Sequence, residues 1–114
     1  MKPLARYRYL QDPGHGWIEV PRDEITALGI AYQVSKYSYQ NGGWVYLEED
    51  CDAGLWISAR DAAGYPVSPD DLTDEHARPN ADSLVRSFDR YRPTPDLRAQ
   101  TTARLTATIT GVTL

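Results

Sequence analysis

Hydrophobic and polar side chains alternate with a period of two over several short stretches and recur at helical spacing over others. From Leu4 to Leu10, Ala5, Tyr7 and Tyr9 fall on one side and Arg6 and Arg8 on the other, the pattern of a strand with one wet face. Asp12-Pro13-Gly14-His15-Gly16 is turn material, and Trp17–Val20 resumes the strand, so residues 4–20 predict a first antiparallel hairpin. A second is predicted from residues 36–40 and 44–48. There Tyr37 and Tyr39 alternate with Ser38, and Trp44, Tyr46 and Glu48 alternate with Val45 and Leu47. Asn41-Gly42-Gly43 supplies the positive φ that a tight hairpin turn requires.

The helical stretches carry their own start and stop signals. Pro21 opens a short helix, because the N–H it lacks is an orphan in the first turn anyway. Asp23 and Glu24 complement the helix dipole, Ile25 and Leu28 share a side, Gly29 gives a left-handed stop and Ile30 folds back over the last turn. Asp50 or Asp52 is placed to cap a second helix, in which Leu55, Trp56, Ala59, Ala62 and Ala63 keep helical spacing until Gly64. Tyr65-Pro66-Val67 reads as a short edge segment. Residues 68–81, polar and broken by Pro69 and Pro79, predict a mobile loop. A third helix is expected from Asp82 to about Tyr91, with Leu84, Val85, Phe88 and Tyr91 on one face and Arg86 and Arg90 on the other. In 103–114, Leu105, Ala107 and Ile109 alternate with threonines, which fits either a strand completing the sheet or a frayed tail. The expected fold is a single α+β domain over 1–114: a small antiparallel sheet of two hairpins, with two main helices and one short helix packed on it.

Charge changes this picture more than composition does. Residues 48–77 hold nine acidic side chains and one base, Arg60, whereas residues 78–114 hold six arginines and three acids. The two blocks either neutralise each other inside the fold or steer a charged partner. A net charge of −4 and a pI near 5.0 argue against a dedicated nucleic-acid binder. No apolar run approaches the ~20 residues that cross a bilayer, and the N-terminus lacks a signal peptide's apolar core. The lone Cys51 excludes an internal disulfide. A cytoplasmic protein with no membrane partner is the expectation.

Eight Tyr and three Trp against one Phe favour half-buried sheets and interfaces, since these rings combine an apolar body with a polar handle. Glu48, Glu49, Asp50 and Asp52 lack the spacing of an EF-hand loop. Capping and solvation account for most of this acidic run, and its surplus charge, with Tyr39 and Trp44 of the second hairpin, is the candidate partner-binding surface. Carboxylates around Cys51 oppose thiolate formation and hence nucleophilic catalysis. His15, between two glycines, reads as a turn histidine, and neither it nor His76 belongs to a paired ligand motif. No catalytic residue, metal or cofactor is assigned. Arg86, Arg90 and Arg92 beside Tyr91 form an alternative nucleic-acid-binding face, through phosphate contacts and stacking.

Taken together, GHGWIEVPRDEITALGI (14–30), KYSYQ (36–40) and VYLEEDCDA (45–53) resemble an uncharacterised family of small domains found in bacteria, phages and plasmids. The resemblance spans about residues 12–56. It implies no activity, cofactor or catalytic residue, but suggests a mobile-element accessory protein. The functional expectation is therefore a non-enzymatic module that docks through the hairpin tip and residues 48–52 on a host protein with a basic surface. Its sharpest form is an anti-CRISPR-like inhibitor of a nucleic-acid-handling defence complex. Nucleic-acid binding by the Arg/Tyr face and a metal-dependent enzyme are the alternatives, and monomer and homodimer both stay open.

Overall fold

The computed structural model describes residues 1–93, so the expectation for 103–114 lies outside the described residues. Two hairpins form as the alternation requires: β1 (Tyr7–Gln11) with β2 (Gly16–Pro21), and β3 (Tyr39–Asn41) with β4 (Trp44–Glu48). β2 and β4 pair antiparallel in the centre, Ile18 opposite Leu47 and Glu19 opposite Tyr46. Gly42 turns the second hairpin at φ 60°.

Two further strands make the sheet larger than two hairpins. β5 (Leu72–His76) lies parallel to β1, and β6 (Asp89–Arg90) extends β3, giving the order β5-β1-β2-β4-β3-β6. β5 falls in the stretch expected to be loop. A 3-10 turn (Pro69–Asp71) leads into it, held by a reciprocal pair: Asp70 N–H donates to Ser68 Oγ and Ser68 N–H to Asp71 Oδ2. Tyr65–Val67 forms no strand.

One face of the sheet is covered by α1 (Arg22–Ala27) and α2 (Ala53–Ala62). Tyr7, Ile18, Val20, Val45 and Leu47 pack there against Ile25, Ile30 and Trp56. Both helices stop in the same way. Gly29 and Gly64 take φ of 72° and 87°, and the next residue's N–H reaches back, Ile30 to Ile25 O and Tyr65 to Arg60 O. Glu24, expected only to complement the dipole, is buried beneath α2. It accepts from Tyr7 Oη, Trp56 Nε1 and Arg60 Nη1, so the charge has partners on both oxygens. Burial and that bond push the Tyr7 phenol up to about 12.

The opposite face carries Trp17, Tyr39 and Tyr46 and is closed by Val85 and Phe88. The third helix expected here does not form. Residues 84–87 make a 3-10 turn capped by Ser83, β6 follows at once, and Leu84, assigned to the apolar face, is 72% exposed. Pairing β6 with β3 exchanges helical bonds for sheet bonds, and a 3-10 turn suffices to drop Val85 onto the aromatics.

Candidate functional site

Four separate segments meet over Trp17 and Tyr39 and leave an open cleft of about 290 Å³. The β1–β2 turn brings His15 and Trp17, and the approach to β3 brings Tyr37 and Tyr39. The β4–α2 junction adds Glu48, Asp50 and Cys51, and the last described segment adds Arg86 and Arg90. Asp12 fastens two of these walls together. Its Oδ2 accepts from Ser83 N and Arg86 Nε, at 2.9 and 2.6 Å, and its Oδ1 accepts from Gly14 N, His15 N and Arg86 Nη2. The Arg86 pair and these N–H groups hold the Asp12 carboxyl far below the usual carboxylate range.

The cleft's aromatic floor is already covered by cations. The Arg86 guanidinium lies 5.1 Å from the Trp17 ring centre and that of Arg90 lies 4.5 Å from Tyr39, while Trp17 and Tyr39 meet edge to face. Trp17 is 1% exposed, and its indole N–H is the buried side-chain donor with no acceptor among the described residues.

The acidic run divides into inward and outward members. Glu48 is 6% exposed; its Oε2 accepts from Asp50 N and Cys51 N, and its Oε1 faces His15 Nδ1 at 3.4 Å. Asp52 is 3% exposed and stands at the start of α2 but makes no capping bond. Its carboxylate instead accepts from Ser35 N, Ser35 Oγ and Ser38 Oγ, tying down the segment that precedes β3. That corrects the capping role read from the sequence: Ser35 and Ser38, through a backbone N–H and two hydroxyls, take up the carboxylate in place of the helix's own N–H groups. Glu49 is half-buried and accepts from Tyr9 Oη, an approach that Gly16 permits, since a Cβ there would stand 2.4 Å from the Tyr9 ring. Asp50 alone of the four is exposed.

At the edge of the cleft, Glu49 and Asp50 are joined by a carboxylate from β5, Asp74, which stands opposite Tyr9 in the sheet. Burial, the Glu49 bond, and the charges of Glu49, Asp74 and Asp50 together push the Tyr9 phenol well above its ordinary value. Glu49, bonded to the Tyr9 hydroxyl, and Asp74, opposite Tyr9 in the β1–β5 register, thus bring two distant parts of the chain together, with Asp50 next in sequence to Glu49. Cys51 sits beside it, exposed; desolvation and the Glu48, Asp52 and Asp50 carboxylates push its thiol up, against nucleophilic chemistry.

Of the hairpin residues singled out from sequence, Tyr39 is buried in the cleft floor, whereas Trp44, the first residue of β4 after the hairpin turn, is exposed and does not line the cleft. The three arginines do not share a helix face. Arg86 is spent on Asp12, Arg90 stacks on Tyr39, and Arg92 points separately, 3.9 Å from Asp89. Sequence reasoning did not place Tyr37 or Trp17 at the site, nor unite Asp74 with residues 49–50. The one available signal was the turn at 12–16, whose Asp12 can bond its own loop. Comparison with family models, curated proteins and solved structures finds no match to this chain.

Proposed function

We propose that the protein is a non-enzymatic binding module that docks on another protein's basic surface through the patch of Glu49, Asp50 and Asp74. The observation carrying this reading is that carboxylates from the β4–α2 junction and from β5 meet at one tyrosine, Glu49 bonded to the Tyr9 hydroxyl and Asp74 opposite Tyr9 in the sheet, with no arginine or lysine in ion-pair contact with Glu49, Asp50 or Asp74 among the described residues. Tyr37, exposed at the rim of the neighbouring cleft, adds the aromatic contact that interfaces favour. Glu48 and Asp52 drop out as contacts because their carboxylates serve the fold. The phage or plasmid setting implied by the resemblance over residues 12–56 gives the sharpest version: an inhibitor that occupies a basic groove built for phosphate in a host defence complex. The nucleic-acid reading loses the helix that would have aligned Arg86, Arg90 and Arg92.

Affinity capture from a bacterial host lysate tests this. The double variant Asp50→Asn, Asp74→Asn should weaken capture at low salt about tenfold and flatten its salt dependence. Equal capture by wild type and variant in low salt would sink the docking patch.

A further inference from the structure

Where the patch turns into the cleft, the fold gathers a ligand set that the sequence disperses. One donor atom each of His15, Glu48, Glu49 and Asp50 lies within 4.8 Å of all the others. This is more than a run of acids, because the imidazole comes from the first hairpin. The carboxylates are also held as metal ligands are held, by partners on their far sides. Glu48 Oε2 takes the N–H groups of Asp50 and Cys51, which leaves Oε1 toward His15 Nδ1, and Glu49 takes the Tyr9 hydroxyl. The arginines lining the cleft do not neutralise the set, since Arg86 is bidentate on Asp12 and Arg90 lies over Tyr39.

A second observation, independent of the acids, points to something bound in the same cleft. Trp17, a side chain almost wholly buried, lines it, and its indole N–H finds no acceptor among the described residues. An oxygen carried into the cleft by a cation, as water or anion, supplies the missing acceptor.

We propose that His15, Glu48, Glu49 and Asp50 bind one first-row divalent cation. One imidazole with three carboxylates suits Zn²⁺ or Mn²⁺ better than Ca²⁺, which takes six to eight oxygens. The site is separable from the docking patch: His15 belongs only to the cation set and Asp74 only to the patch.

Isothermal titration of Zn²⁺ and of Mn²⁺ into chelator-treated full-length protein tests the site. One equivalent should bind, with affinity at least tenfold lower in His15→Ala and in Glu49→Gln and unchanged in Asp74→Asn. In the wild type, the ring nitrogens of His15 should shift on Zn²⁺ addition while those of His76 stay still, a readout that needs no variant. Absence of saturable binding by either cation, unchanged Zn²⁺ and Mn²⁺ affinity in His15→Ala, or Ca²⁺ binding tighter than that of both Zn²⁺ and Mn²⁺ overturns the proposal.

Discussion

Asp12 accepts five hydrogen bonds through one carboxylate, and two of its donors, Ser83 and Arg86, lie at the far end of the described chain. Charge-assisted bonds of this kind are worth roughly 1.5–3 kcal/mol each way they are broken. Asp12→Asn keeps the shape but loses the charge and one acceptor, and should cost about 2 kcal/mol at neutral pH, measured by urea unfolding. The pH sign follows from the depressed carboxyl. Its stabilisation is fully present above the unfolded value near 4 and is lost as pH falls through the acid range toward the folded value. The gap between wild type and Asp12→Asn should therefore narrow on acidification; a constant gap down to the acid transition would show that the charge is not what matters. Glu19 works in the same direction: burial pushes its carboxyl up, but bonds from Arg8 and Tyr46 outweigh this and leave it lowered.

Segments 82–91 give the sharpest test among the elements. In a helix Leu84 and Val85 would both face the core; in the 3-10 turn only Val85 does. Val85→Ala should cost roughly 2 kcal/mol and Leu84→Ser less than about 0.5 kcal/mol in thermal unfolding. Comparable losses at both positions would restore the helix. The same segment shows what was legible in the chain. Local rules sufficed for both hairpins, for Gly29 and Gly64 as helix stops, and for the extent of α2, because turns, caps and alternation act over a few residues. They failed for β5 and β6, where Leu72–His76 has almost no apolar alternation and Asp89–Arg90 is two residues long. Such strands are selected by a waiting sheet edge, which no local window contains. The site was less legible still. Asp52 and Glu48 read as surface charge, yet Ser35, Ser38 and the β4–α2 backbone turn them inward.

On the scale of the whole molecule, the acidic middle and the arginine-rich end do not cancel each other among the described residues. Arg86 pairs with Asp12 and Asp82, Arg92 with Asp89, and Arg60 with Glu24, while Glu75 is met by Arg8 from β1. Each block thus settles its charge with near neighbours or with the first hairpin. Glu49, Asp50 and Asp74 are left without an arginine or lysine within ion-pair distance among the described residues. The surplus negative charge seen in the sequence has become a place on the surface.

The parallel pairing of β5 with β1 also sets an order of events. Each hairpin closes over a short turn, but Tyr7 meets Leu72 only after nearly all of the intervening chain has been gathered. Of the two edge strands, β5 is thus expected to pair after the hairpins have closed and to open before them. In native-state hydrogen exchange, amides of β5 should exchange well before those of β2 and β4, with an opening free energy below that of global unfolding. Protection of β5 equal to that of β2 would instead mean that the edge and the centre open as one unit. If the edge opens alone, Asp74 leaves Tyr9 each time it does, and the acidic patch exists only as often as the sheet is complete.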